Sequence, residues 1–363
     1  MLCHTFLIGR GADLLAAGTV PPVLTGGLFG VDVFFVLSGF LITSILVQER
    51  TATGRMDLKA FYMRRVLRLS PAMVLVLVAS LLYLGLFRRS SGMFDATAVL
   101  ISALYVSNFA LIFAGLRLGM LTPTWSLSVE EQFYTIWPLT LTFLLNVSRK
   151  TVLVAILSLM AVSMLLRAAF YSTFLATGKL PLFGAANHLL FARADGLMLG
   201  ALVAIVATSG WLPVSADKRV WTAVAWSALL GLLGILIFGP IDYNASVFYV
   251  LYGLTGILTA LLITALLTAR TSLTTVLQLA PLVWTGKISY GLYLFHLPVF
   301  ALLPLVLQPL YTDQHPWTMT TIAIAVTFGL AAASYYLVEL RFLKLKHRVS
   351  APSKHTIAEP VPA

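Results

Sequence analysis

The sequence predicts an all-α polytopic membrane protein, a bundle of about ten transmembrane helices of which one is partial or re-entrant. Composition is the first reason: 60% of the residues are hydrophobic and only 10% are charged, against roughly 45–50% and 25% in a soluble domain. The second is the length of the apolar runs, since a bilayer-spanning helix takes about 20 such residues. The third is charge placement, with basic residues collected between the runs.

The runs cover 28–48, 71–87, 93–115, 126–147, 151–171, 187–208, 219–238, 246–268, 284–307 and 317–338. Lipid offers no partners to a bare backbone, so segments of this length are read as helices whose amides are satisfied internally. The weakest run is 93–115, which carries Asp95, Ser102, Ser107 and Asn108. The tail 350–363 is short, polar and proline-containing, and is expected to be disordered. Residues 1–349 therefore form one membrane domain, with no internal repeat and no second soluble domain. Cys3 is the lone cysteine, which rules out an internal disulfide or a cysteine-based metal cluster; no metal site is expected.

Met1 to Ile8 is apolar but stops at Gly9-Arg10-Gly11. It lacks the basic start of a signal peptide. It reads as the last turns of a helix whose first part lies upstream, the alternative being a short interfacial N-terminus.

Charge sets an orientation. The net charge of +11 comes from 24 Lys+Arg against 13 Asp+Glu, and such an excess in a membrane protein marks cytoplasmic loops and contact with anionic headgroups. Nucleic acid is not an expected partner, because the charges are scattered between apolar runs. The densest basic loop holds Arg50, Arg55, Lys59, Arg64, Arg65 and Arg68 and is assigned to the cytoplasm. Strict alternation from there would put Arg149-Lys150, Lys218-Arg219, Arg270 and the Arg341–Arg348 cluster outside. If 93–115 does not cross fully, all four fall inside. Thr122–Glu130 then lies near the outer face and the C-terminus is cytoplasmic.

A charge at the bilayer centre costs about 2.5–3.5 kcal/mol on insertion scales, so intramembrane ionisable groups face the interior and serve a purpose. The candidates are His4, Asp32, Glu130, Glu131, Arg193, Asp195 and His296. A lone intramembrane His can simply bond a neighbouring carbonyl. Arg193 and Asp195 are two apart and point to different faces, which suits glue between helices better than chemistry. Neighbouring Glu130 and Glu131 diverge by about 100°, so at most one faces a given site; the other is expected to be interfacial and solvated. Arg65 and Arg68 are three apart on one helical face. Their planar guanidiniums suit phosphate, although snorkelling anchors would look the same. Pro71 is expected to open the following span as a first-turn proline.

Five strings together resemble the membrane acyltransferase 3 family. They are Gly30-Val31-Asp32-Val33-Phe34-Phe35-Val36-Leu37-Ser38-Gly39-Phe40-Leu41-Ile42, then Phe61-Tyr62-Met63-Arg64-Arg65 through Arg68 and Pro71, and Trp125-Ser126-Leu127-Ser128-Val129-Glu130-Glu131-Gln132-Phe133-Tyr134. The last two are Ser289-Tyr290-Gly291-Leu292-Tyr293-Leu294-Phe295-His296-Leu297-Pro298 and Ser334-Tyr335-Tyr336-Leu337-Val338-Glu339. The resemblance implies a ten- or eleven-helix O-acyltransferase of the bacterial inner membrane. It would move an acyl group, often acetyl, from acyl-CoA to a hydroxyl of a sugar, cell-envelope glycan or lipid, with no bound cofactor. His4 matches the family's first-helix histidine, whose upstream arginine would precede Met1. The closing motif departs from the family's frequent Glu-x-Pro, since Leu340 and Arg341 follow Glu339.

Within that expectation, His4 is the general base, and Asp32 or Glu130 is the carboxylate that orients it. Arg65 and Arg68 hold the CoA phosphates. Ser38, Tyr293 and His296 are substrate-binding candidates; packing at a tight helix contact is the plainer expectation for Ser38 and Gly39, and His296 stands equally as a second acid/base. A solute transporter is the rival class, because polar groups inside a bundle also mark transport pathways.

Overall fold

A computed structural model describes residues 25–86, 96–116, 118–210, 212, 217–240, 243–307 and 316–349. His4 and the tail 350–363 lie outside the described residues. Among the described residues every regular element is helical, and eight helices are long and apolar enough to cross a bilayer. The protein is an all-α polytopic membrane bundle.

A 3-10 turn at Thr25–Phe29 leads into α1 (Gly30–Thr53), which stops at Gly54 in the left-handed region at φ 76°. There the absence of a Cβ removes the steric penalty. Helix α2 (Leu58–Leu86) starts thirteen residues before the apolar run, so Pro71 lies inside it instead of opening it. Asp57 explains the early start: its Oδ1 accepts from the Ala60 amide at 2.9 Å and caps the helix before the basic turns. At 29 residues α2 is about 43 Å long, more than a hydrocarbon core of about 30 Å, which leaves its arginine-bearing turns at one membrane edge.

The run at 93–115 is broken, as expected of a partial segment. Helix α3 (Ala96–Ala103) has eight residues, about 12 Å. Tyr105 then takes a left-handed φ of 54°, and a turn at Ser107–Phe109 widens into a π turn at Ala110–Ala114. Helix α4 (Thr124–Leu144) carries the two glutamates and α5 is Arg149–Thr177. The run expected at 187–208 is two helices, α6 (Leu180–His188) and α7 (Leu190–Thr208), separated by extended Leu189 at φ −78° and ψ 132°. Helix α8 is Lys218–Phe238, and a π turn at Val247–Leu251 leads into α9 (Tyr252–Thr268). Helices α10 (Ser272–Leu277), α11 (Ala280–Val306) and α12 (Pro316–Ala333) follow, then a π turn at Ser334–Glu339 and α13 (Leu340–Val349).

Large apolar side chains such as Phe143, Leu165 and Phe238 point outward, while Arg167, Arg193, Glu130, Asn108 and His296 are buried. This reverses the usual soluble arrangement because the outer solvent is hydrocarbon. Helices α1 and α7 run parallel in the most intimate contact of the bundle. A Cβ on Gly39 would collide with the Leu197 carbonyl, and one on Gly200 with the Val36 carbonyl. Small residues let membrane helices approach to backbone distance, where packing and not hydrophobicity holds them.

Gly39→Ala and Gly200→Ala are therefore expected to destabilise the detergent-solubilised protein by about 1–3 kcal/mol each. Gly234→Ala, whose Cβ meets nothing within 4 Å, should be neutral or stabilising. Thermal unfolding monitored by tryptophan fluorescence measures all three; equal shifts would remove the close-approach explanation.

Candidate active site

Helix α1 lies parallel to α4 and is tied to it by successive polar rungs. Near the middle of α1, Ser38 Oγ donates to Glu130 Oε1 at 2.6 Å and accepts from the Tyr134 hydroxyl at 2.7 Å. A turn further on, Trp137 Nε1 donates to Thr43 Oγ1 at 2.8 Å. At the end, Arg50 donates to the Thr142 carbonyl and to Asn146 Oδ1, where a cation also favours the C-terminus of α4. Helix α2 adds Arg65, whose Nε lies 3.1 Å from Glu131 Oε1 and whose guanidinium lies 3.1 Å from the centre of the Tyr134 ring. Tyrosine and glutamate here hold the arginine by its edge and its face.

The two adjacent glutamates thus face different partners, as a 100° step requires. Glu131 is ion-paired and only partly exposed, so it is not the freely solvated residue expected from its position. Ser38 is hydrogen-bonded, while Gly39 makes the tight helix contact. Arg64 pairs with Glu49 at 3.3 Å, and Arg68 is exposed and makes no hydrogen bond among the described residues.

The broken segment completes one wall. The Ser107 amide donates to Ser128 Oγ at 3.2 Å, and Ser102, Ser107 and Thr124 share their hydroxyls. Asn108 and Gln132 exchange amide bonds at 3.1 and 2.9 Å, and Asn108 also donates to the His188 carbonyl that the Leu189 break leaves free. On α11 the Tyr293 hydroxyl bonds Ser126 Oγ and the Pro123 carbonyl, and His296 Nδ1 lies 2.6 Å from the Tyr293 carbonyl.

A second buried ionic layer sits toward the N-terminal end of α1. Arg193 Nη2 donates to Asp32 Oδ1 at 2.6 Å and its guanidinium lies 3.5 Å from the centre of the Tyr252 ring. Arg167 Nη1 donates to Asp195 Oδ1 at 2.7 Å and to the Ala192 carbonyl, and its Nε donates to the Phe248 carbonyl. Arg193 and Asp195 do bond adjacent helices, as glue. Asp32 joins that layer and not the Ser38–Glu130 layer. Arg167, His188, Tyr134 and Trp125 were not singled out as site residues from the sequence; Tyr134 and Trp125 lie inside a family string. Arg167 lies eighteen positions after the first residue of α5, in a stretch that is otherwise free of charge after Arg149-Lys150, a signal that could have marked it. Among the described residues no cluster of metal-ligating side chains occurs.

A buried carboxylate bonded to a hydroxyl, flanked by a cation held on an aromatic face, is equipped to bind and polarise an oxygen nucleophile. The chain matches the family model described as "Acyltransferase domain" over residues 1–336. It belongs to this acyltransferase family. It is 30% identical over 329 residues to peptidoglycan O-acetyltransferase OatA of Listeria monocytogenes, covering 86% of this chain and 51% of that protein. It is 31% identical over 357 residues to the putative peptidoglycan O-acetyltransferase YrhL of Bacillus subtilis, covering 91% and 54%. O-acetyltransferase OatA of Staphylococcus aureus is 29% identical over 336 residues, covering 87% and 52%. The chain thus spans about half the length of these curated relatives. No solved structure matches.

Removing one partner of a buried pair leaves an uncompensated charge, at a cost of about 3–5 kcal/mol. Arg167→Ala is expected to lower the unfolding temperature or the folded yield accordingly, and Arg167→Met/Asp195→Leu to recover most of the loss. A double variant as unstable as the single one would show that the guanidinium's carbonyl bonds, and not the pair, hold α5 to α7.

Proposed function

We propose that the protein is a membrane O-acyltransferase that moves an acyl group, acetyl foremost, from acyl-CoA to a hydroxyl of a cell-envelope glycan. The observation that carries this reading is the buried Glu130–Ser38–Tyr134 chain beside Arg65–Glu131, in a family member whose relatives are named O-acetyltransferases. The acceptor hydroxyl oxygen attacks the thioester carbonyl as His4 takes its proton. The tetrahedral intermediate then expels CoA thiolate, the C–S bond breaks, and the proton passes to sulfur. Of the two carboxylates considered for His4, Glu130 suits the role better, because Arg193 already neutralises Asp32. Tyr293 and His296 line the acceptor side, and Ser38 fixes Glu130.

Arg68, with Arg65 behind it, contacts the CoA phosphates at the cytoplasmic face. The protein sits in the bacterial inner membrane with its C-terminus cytoplasmic. Its partners are acyl-CoA, a hydroxylated glycan and the bilayer itself. One feature favours the transporter reading, the helix break at Leu189, since discontinuous helices form transport sites.

Purified protein in nanodiscs is expected to release CoA from acetyl-CoA only when a glycan acceptor is present. Glu130→Gln, which keeps the shape and the Ser38 bond, should lower kcat about a hundredfold or more. Solute flux in vesicles without CoA release would establish the transporter instead.

Arg68→Ala should weaken acyl-CoA binding by about 10- to 150-fold, the equivalent of a charge-assisted bond of roughly 1.5–3 kcal/mol. Arg270→Ala, an exposed arginine on another loop, should leave it unchanged. Equal affinity in both variants, read by equilibrium binding, would remove Arg68 from the donor site.

A further inference from the structure

The ionic layer around Asp32 contains more hydrogen-bonding capacity than the fold uses. Asp32 Oδ1 and Arg193 Nη2 satisfy each other, but Asp32 Oδ2 and Arg193 Nη1 have no partner, although both residues are more than nine-tenths buried. These groups share one corner. Arg193 lies against the Tyr252 ring, the Tyr252 hydroxyl donates to Asn187 Oδ1 at 2.8 Å, and Asn187 Nδ2 meets His188 Nε2 at 3.2 Å. The His188 ring is 4.7 Å from that of Trp125, which in turn packs edge-on against Phe35.

An arginine and aspartate serving only to join α1 to α7 would be best used as a two-bond fork. This pair is joined through one bond and holds back one cationic donor and one carboxylate acceptor. Buried polar groups are almost always bonded to something. A neutral group that both accepts and donates, an amide above all, meets the two orphans together. Trp125 and His188 are the partly exposed members of the corner, and an indole beside polar groups is a platform for the apolar face of a sugar ring.

We propose that this corner is the acceptor subsite, where Asp32 and Arg193 take the acetamido group of a hexosamine and Trp125 carries its ring. The nature of the ligand rests on the glycan-acylation reading above. Asp32 and Ser38 lie six residues apart on α1, about 9 Å along the axis and about 120° around it, and Phe35, with Trp125 packed edge-on against it, lies between those two directions. A hexosamine held by its amide at Asp32 therefore presents a ring hydroxyl on its far side to the Ser38–Glu130 pair. The break between α6 and α7 at extended Leu189 places His188 beside this corner and turns its carbonyl away to Asn108.

The test is a saturation-transfer NMR titration of the full chain in nanodiscs with N,N′-diacetylchitobiose and with cellobiose, which has hydroxyls in place of the acetamido groups. The wild type should bind the acetylated disaccharide at least tenfold more tightly. Arg193→Lys and the apolar double variant Asp32→Leu/Arg193→Met should bring that ratio close to one. Should Arg193→Lys fail to fold, the double variant, which leaves no unpaired buried charge, decides. A ratio of one in the wild type, or an undiminished ratio in the folded double variant, would overturn the subsite. Acetyl-CoA turnover measured on the same samples separates the two readings. Preferential sugar binding without CoA release would sink acyl transfer and leave the subsite, whereas CoA release without sugar preference would do the opposite.

Discussion

A charge surrounded by hydrocarbon has to be matched within the protein, and the rest of this bundle is arranged around that requirement. Arg65, Arg167 and Arg193 each reach a carboxylate on a different helix. Two of them also rest on an aromatic ring at 3.1 or 3.5 Å, which supplies attraction without asking for another hydrogen-bond acceptor. Because the pairs cross between helices, they fix which helix faces which. Lipid itself offers no hydrophobic preference among them. The same pairs divide the interior into two levels along α1, one with a carboxylate bonded only to a hydroxyl and one with a carboxylate bonded to a cation.

That division leaves the two carboxylates differently bonded. Glu130 is held by Ser38, which in turn accepts from the Tyr134 hydroxyl. Asp32 is committed on one side to Arg193. Backbone irregularities accompany both levels: the left-handed Tyr105 and the extended Leu189 each free a carbonyl, and Gln132 and Asn108 take these up at 3.3 Å. Irregular backbone at membrane depth is tolerated where side-chain amides re-satisfy it, and here those amides also brace α4 from behind.

The helices were readable because hydropathy in a membrane protein is a direct record of the solvent. The broken character of 93–115 was readable too, because Ser102, Ser107 and Asn108 would have no partners in a straight helix facing lipid. Pairings were not readable. Nothing in sequence spacing joins Asp32 to Arg193, 161 positions away, or Ser38 to Glu130, 92 away. Helix boundaries set by caps were also hidden under hydropathy: Asp57 starts α2 well before its apolar stretch. Leu189 carries no signal at all, being an ordinary leucine whose extended conformation is imposed by the tertiary contacts of His188 and Asn108. Arg65 was legible as a cation on the right face, but its neighbours Glu131 and Tyr134 emerge only when α2 and α4 are laid side by side.

The wide turns at Ala110–Ala114, Val247–Leu251 and Ser334–Glu339 bear on how such a chain can drift over generations. A π turn is what remains when a helix accepts a single inserted residue without shifting either of its ends. Each one takes up its extra residue within the widened turn, so everything downstream keeps its side of the helix while its number advances by one. Tyr252 and Glu339 are therefore displaced around their helices relative to a count made from the residues before them. Lineages that gained or lost one of these insertions would present the same side to the interior under shifted numbers. Matching two such chains position by position, with no gap at the turn, would then misplace every surface beyond it.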